Sequence, residues 1–305
     1  MNDAVAHSER AHSSIGPSSA TRVIGCPGSV KLIEQHGKER PPGAAALLGT
    51  EAHELMERAL LAGDAIIGDS VAHRSAAFFV DAVKQELAVD PADAVLLVER
   101  KIDLARFHPA LFGTVDCGIW YPRLRKVTVL DLKSGVMPVA ADSPQLLLYA
   151  AMLLETLRPR ADDVLTVECI VVQPNAPGQA VKRKTYKTAE VVRFFSDYVD
   201  LAWAATHANE PQPLKTGPYC FWCSAKGACP EYRQSTLGPV EAFADVDGQV
   251  VTPYTSADAI DDEDLGRALD ALAGIEKWGA RWSASPTCQP RTAPQRTQSC
   301  SRPKL

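Results

Sequence analysis

Asp131-Leu132-Lys133 closes the apolar run Val127-Thr128-Val129-Leu130 and leads into Ser134-Gly135. Side chains alternate along a strand, so Asp131 and Lys133 share a face with Leu132 opposite. A carboxylate and an ammonium at a strand end are costly in a core unless paired. Alone they make a terminal salt bridge. Fifteen residues earlier, Gly113-Thr114-Val115-Asp116 puts another acid on the preceding apolar segment. If the two segments are neighbouring strands, two carboxylates converge with no evident Arg partner. Oxygen donors of that kind suit Mg²⁺ or Mn²⁺. Gly49-Thr50-Glu51-Ala52-His53-Glu54 adds an imidazole on a helical segment, and Mn²⁺ accepts one nitrogen ligand. Gln145 and Tyr149 stand four apart and share a helix face, from which both can hydrogen-bond toward the strand ends. Glu99, on the strand before Asp116, is a further acid that could serve a second ion or support the first.

A second constellation is made of sulfur. Cys220, Cys223 and Cys229 lie in a segment tightened by Gly217, Pro218 and Gly227. Tetrahedral metal sites accept such spacing and need a fourth ligand. Cys26, Cys117, Cys169, Cys288 and Cys300 are the remaining cysteines. Cys117 and Cys169 fall in apolar strands and read as small core residues. Cys26, in the turn Cys26-Pro27-Gly28, is the best fourth ligand. Both zinc and an iron-sulfur cluster fit the donor set.

The order GTxxH, GTxD, DLK with SG, then QxxxY resembles the PD-(D/E)XK nuclease superfamily. The likeness is to the branch of the RecB nuclease domain and the CRISPR-associated exonucleases, some of which hold a 4Fe-4S cluster. It spans about residues 21–232. The Asp of Asp131-Leu132-Lys133 stands where Glu is often found. The resemblance implies that His53, Asp116, Asp131 and the Leu132 carbonyl bind Mg²⁺ or Mn²⁺. It further implies that Lys133 positions the attacking water and stabilises charge on the phosphoryl group. Gln145 and Tyr149 would orient the site and the nucleic-acid backbone. Cys26, Cys220, Cys223 and Cys229 would hold the 4Fe-4S cluster, with Zn²⁺ as the alternative. The implied fold is α/β (α+β), a restriction-endonuclease-like core with a central mixed β-sheet flanked by helices. The cluster would staple the N- and C-terminal segments. The implied activity is a metal-dependent deoxyribonuclease, an exonuclease on single-stranded or free-ended DNA. The text further resembles a phage or prophage subgroup, which implies DNA recombination or repair, with recombination or replication proteins as partners. A catalytically silent DNA- or protein-binding module on the same fold is the alternative.

Positioning these residues takes a defined set of elements. Helical spacing predicts helices over 44–62, 73–87, 143–157 and 188–209. Alternating or apolar runs predict strands over 94–104, 111–120, 126–133, 164–173 and 180–186, the second and third antiparallel neighbours. Ser29 reads as the N-cap of a short helix, and 211–232 as a loop. Residues 1–20, rich in Ser, Ala and His, read as a disordered N-terminus. A helical extension is expected over 233–282, with its last helix over 256–278. Residues 283–305 carry Pro, Ser, Gln and Arg without periodicity and read as a disordered or aberrant tail.

The 305 residues carry a formal charge of −5 with 46% hydrophobic content, ordinary for a globular protein. Without the tail the body holds 28 basic against 37 acidic residues, which by bulk electrostatics speaks against DNA. Bound metal reverses that local charge. Lys182, Arg183, Lys184 and Lys187 form the best basic patch to guide a strand. No run reaches the roughly 18 apolar residues of a membrane helix, and the start carries no apolar signal segment. With eight cysteines, this reads as a cytoplasmic protein that does not engage a membrane.

Overall fold

The computed structural model describes residues 13–37, 41–157 and 163–241, with side chains through Ser235. The chain divides into two compact units at Cys229/Pro230. In the second unit the described part is one helix, Pro230–Glu241. The expected helix over 256–278 and the tail lie outside the described residues.

The first unit is α+β, built on a five-stranded mixed sheet. Its strands are β1 (Val95–Asp103), β2 (Phe112–Tyr121), β3 (Lys126–Leu132), β4 (Thr166–Val172) and β5 (Val181–Lys187), in spatial order 1-2-3-4-5. All neighbours are antiparallel except β3 and β4. That parallel pair requires a crossover, and a helix, Pro144–Thr156, supplies it. The helices are α1 (Ala20–Gly25), α2 (Ser29–His36), α3 (Ala44–Leu61), α4 (Val71–Leu87), α5 (Pro144–Thr156) and α6 (Thr188–His207).

Each sheet face carries its own core. Ala52 and Met56 of α3 and Ala76, Phe79 and Val83 of α4 pack with Cys117, Ile119, Leu130, Leu132 and Ile170. On the other face, α1, α5 and α6 pack with Trp120, Val127, Val129, Cys169 and Val171. α5 is buried on nearly every side, from Leu146 to Leu154. A helix apolar all round belongs between layers, and this one lies beneath α6 and over β3. Cys117 and Cys169 are indeed core residues, one on each face.

The helix ends follow simple capping rules. Ser70 accepts from the His73 N–H to start α4, and Glu190 reaches back to the Lys187 N–H at the start of α6. Two expectations need correcting. Ser29 is the first residue of α2 rather than its cap; its hydroxyl donates to the Cys26 carbonyl at 2.6 Å. The described part of the N-terminal segment, Ser13 to Ala20, is packed, with Ile15 fully buried. The Tyr198 hydroxyl donates to the Ile15 carbonyl at 2.7 Å. The polar composition that reads as disorder overlooks one anchoring Ile and the backbone partners that α6 provides. Among the described residues no helix is long and apolar enough to cross a membrane.

The strand alternation breaks at one level of the sheet. On β1, Leu96 and Val98 pack toward α3 and α4 and Leu97 toward α5; beyond Glu99, Ile102 packs toward α5. On β2, Cys117, Ile119 and Tyr121 face α3 and α4, yet Val115 faces α5. The phase of both strands reverses between the pairs Val98–Cys117 and Arg100–Val115. Glu99 and Asp116 stand opposite each other there. Glu99 takes the left-handed φ of 44°, which costs a non-glycine residue about 1–3 kcal/mol.

Candidate functional site

The reversal gathers acids from two strands and a base from a helix. His53 of α3 places Nδ1 3.0 Å from Glu99 Oε1 and 3.6 Å from Asp116 Oδ1. One ligand atom from each of the three lies within 4.8 Å of the others, a spacing that can hold a metal ion. The other Asp116 oxygen accepts the Leu132 N–H at 2.7 Å, which ties β2 to the end of β3. The neighbouring position carries Asp131, 1% exposed. Lys133 Nζ donates to its Oδ1 at 3.0 Å and lies 2.8 Å from Oδ2. Gln145 Nε2, from α5, reaches Oδ1 at 3.4 Å. Tyr149, one turn further on, is buried and hydrogen-bonded to Gln145.

His53, Asp116, Asp131, Lys133, Gln145 and Tyr149 therefore gather around the end of β3, with helices on both faces contributing. Two details differ from the sequence reading. Asp131 does not share the tight cluster around His53, because its oxygens are turned to Lys133 and Gln145. Glu99 takes that place, with its side chain 1% exposed. The signal for Glu99 in the sequence is slight: one acid interrupting an apolar run. For Leu132, the backbone N–H is engaged by Asp116.

Burial dominates the electrostatics. It pushes the Asp116 carboxyl up, with Glu99 adding to the rise and His53 and Lys133 opposing it. Burial likewise raises Asp131 to about 6 despite the adjacent Lys133 ammonium. Burial alone lowers the His53 imidazole, but Asp116 and Glu99 outweigh it and carry the group to about 9. Lys133 is held above its ordinary value, because Asp131 and Asp116 outweigh burial. Tyr149 is pushed well up by burial and then by Asp116 and Asp131, so its hydroxyl keeps its proton.

This site fits a divalent cation on its own chemistry. Glu99, Asp116 and Asp131 bring three carboxylates close to one imidazole, and an oxygen-rich donor set of that kind suits Mg²⁺ or Mn²⁺. Asp131 Oδ2 is buried and receives no hydrogen bond, although the Lys133 ammonium lies beside it. An oxygen of that kind is a ready ligand.

A second gathering lies between an early and a late segment of the first unit. Cys26, Cys220, Cys223 and Cys229 are all buried free thiols. Burial raises the Cys220 thiol, opposed by the Gly217 N–H, and the neighbouring Cys223, Cys26 and Cys229 raise it further. The Lys215 N–H points to Cys26 Sγ at 3.3 Å and the Gly217 N–H to Cys220 Sγ at 3.4 Å. Two of the four sulfurs thus have amide donors, as thiolate ligands often do; the grouping within 4.8 Å that joins His53, Glu99 and Asp116 has no counterpart among these described cysteines. The approach depends on Gly28, which the sequence places in a turn, and on Gly25, which carried no signal there. A Cβ on Gly28 would lie 2.3 Å from the Gln212 carbonyl oxygen, and one on Gly25 2.2 Å from the Tyr219 ring. The Tyr219 hydroxyl closes the contact by donating to the Gly25 carbonyl at 2.9 Å. The expected loop over 211–232 contains two short 3-10 turns, Pro218–Phe221 and Lys226–Ala228, and runs into the helix from Pro230.

The basic patch on β5 is largely engaged. Lys182 Nζ turns to the Val139 carbonyl and Gln173 Oε1 at 2.7 and 2.9 Å. Arg183 pairs with Glu86 at 2.6 Å and Glu168 at 3.5 Å. Lys184 and Lys187 remain exposed.

The model of a family described as "Protein of unknown function (DUF2800)" matches residues 12–76 and 69–284. No curated protein matches significantly. Eight solved chains match. One is the crystal structure of SSO0001, 15% identical, covering 67% of this chain and 95% of that one with a TM-score of 0.24.

Proposed function

This chain belongs to DUF2800, a family of proteins of unknown function, and from its site we propose that it is a metal-dependent deoxyribonuclease. The substrate is single-stranded or free-ended DNA, cut as an exonuclease cuts, in phage recombination or repair. The fold is then a restriction-endonuclease-like core. One observation carries the reading: Glu99 and Asp116 meet His53 at a spacing that can hold a metal ion, and Asp131 with Lys133 lies next to them at the end of β3.

His53, Glu99 and Asp116 would hold Mg²⁺ or Mn²⁺, with Asp131 Oδ2 and the Leu132 carbonyl as further donors. Such an ion supplies an acidified water and charge neutralisation at a phosphoryl oxygen. The chain's own groups do the positioning. Asp131 holds the Lys133 ammonium at the end of β3, where it can meet charge that develops on a scissile phosphate. Gln145 fixes Asp131 from α5, and Tyr149 supports Gln145 while keeping water from the buried acids. Cys26, Cys220, Cys223 and Cys229 would hold a 4Fe-4S cluster, or Zn²⁺, as a structural staple.

The test is cleavage of single-stranded, duplex and end-blocked DNA with Mn²⁺, Mg²⁺ or EDTA, comparing wild type with Lys133→Ala. We expect cleavage that needs metal and free ends and falls at least 100-fold in the variant. Equal cleavage by both would remove Lys133 from the chemistry. A wild type that binds DNA and cuts nothing would make the chain a binding module.

A further inference from the structure

The loop that follows Lys133 is held rigid while its tip is apolar and bare. Val136 and Met137 are 67% and 58% exposed. Burying two adjacent apolar side chains is ordinarily favourable, so a loop free to move gains by covering them. This one is held. Gln173, 1% exposed, donates through Nε2 to the Gly135 and Met137 carbonyls at 3.0 and 2.7 Å. Its Oε1 accepts the Val139 N–H and the Lys182 ammonium, each at 2.9 Å. Asn175 Nδ2 donates to the Ser134 carbonyl at 2.9 Å. On the other side, a Cβ on Gly49 of α3 would lie 3.4 Å from Ser134 Oγ. A buried glutamine and a lysine from β5 are thus spent on fixing a loop whose outermost side chains touch solvent.

We propose that Val136 and Met137 form a wedge that meets the terminal base pair of a DNA end, unstacks it, and delivers one strand to Lys133. The proposal rests on the nuclease reading of the site and names how a duplex end would enter it. Reach allows it: three residues span at most about 11 Å, the scale that separates a backbone phosphate from a neighbouring base. Size supports it too. Two side chains fall far short of the roughly 800 Å² per partner that a stable protein interface buries. A base presents a flat face of matching scale, and apolar wedges are known to insert between base steps and part them. Rigidity is what a wedge requires, since a loose tip would yield before the stacked pair does.

The experiment uses the full chain and a blunt duplex with 2-aminopurine in its terminal pair, whose fluorescence rises on unstacking. Wild type, Val136→Ser/Met137→Ser and the control Val89→Ser are compared in EDTA at saturation, with binding followed by anisotropy. Val89 is exposed beyond the opposite end of the sheet. We expect a severalfold fluorescence rise with wild type and control, and none with the double variant. With Mn²⁺, the ratio of duplex to single-strand degradation should drop about tenfold in the double variant alone. An equal rise and an equal ratio in all three would overturn the wedge and leave the tip to a protein partner. A fluorescence rise that needs the tip, in a wild type that cuts no DNA, would keep the wedge and refute the nuclease reading. No DNA binding by wild type would refute both.

Discussion

A metal ion and a proton compete for His53, and the competition has a computable size. The imidazole is held near 9 rather than 6.5 by Asp116 and Glu99, which overcome the opposing effect of burial. A ring that ligates a cation must be neutral. At pH 7 displacing that proton costs about 2.7 kcal/mol, at about 1.4 kcal/mol per pKa unit. The apparent affinity for Mn²⁺ at pH 7 should therefore be about 100-fold below its alkaline limit. It should rise nearly tenfold per pH unit from 7 to 8.5, with about one proton released per ion. Anaerobic calorimetric titration with Mn²⁺, in buffers of differing ionisation enthalpy, measures both quantities. His53→Gln should abolish the slope and the proton release. An affinity flat from pH 6.5 to 8.5, or a slope that survives in His53→Gln, would refute the reasoning. Without metal the same proton acts on stability. A raised folded value means stability fully present below 6.5 and lost as pH rises through about 9. The loss is about 3 kcal/mol, read from urea midpoints with and without the histidine.

Other perturbations probe other parts. Glu99→Gln should weaken Mn²⁺ binding by about 10- to 100-fold; unchanged binding would return Glu99 to a purely structural role. Gly28→Ala should destabilise the protein by about 1–3 kcal/mol through overpacking against the backbone at Gln212 and Pro213. The same variant should lower iron or zinc content, measured by elemental analysis and absorbance near 400 nm after anaerobic purification. Cys26→Ala should remove the bound group, opening a loop whose closure contributes on the order of 5 kcal/mol in a chain-entropy picture. Retained absorbance and an unchanged melting temperature would break the assignment of Cys26. His108 is buried between the Ala110 N–H and the Thr206 hydroxyl, and burial and then His207 lower its pKa. Its contribution is present above 6.5 and lost as pH falls through its depressed folded value. His108→Gln should flatten the acid limb of the stability profile, which urea titration at pH 4 to 7 will reveal.

Local chemistry explains what the sequence alone determined. Helical and strand periods placed the long helices and all five strands to within a few residues, because apolar spacing reports the secondary-structure period directly. Asp131 and Lys133 could be put on one face by alternation alone. The residue types at Cys26 and at the later cysteines suggested a shared site, and all four thiols are buried. Period-two reading fails where a residue takes a left-handed φ, so it could not show that the phase of β1 and β2 reverses at Glu99. That reversal brings Glu99 rather than Asp131 beside His53. Nor does composition show that Ile15 anchors an otherwise polar segment, or that Lys182 and Arg183 are turned to Gln173, Glu86 and Glu168 instead of solvent. These are contacts between residues from nine to 183 positions apart. They arise only when strand order and helix packing bring backbone carbonyls and buried charges together, and no local pattern encodes them.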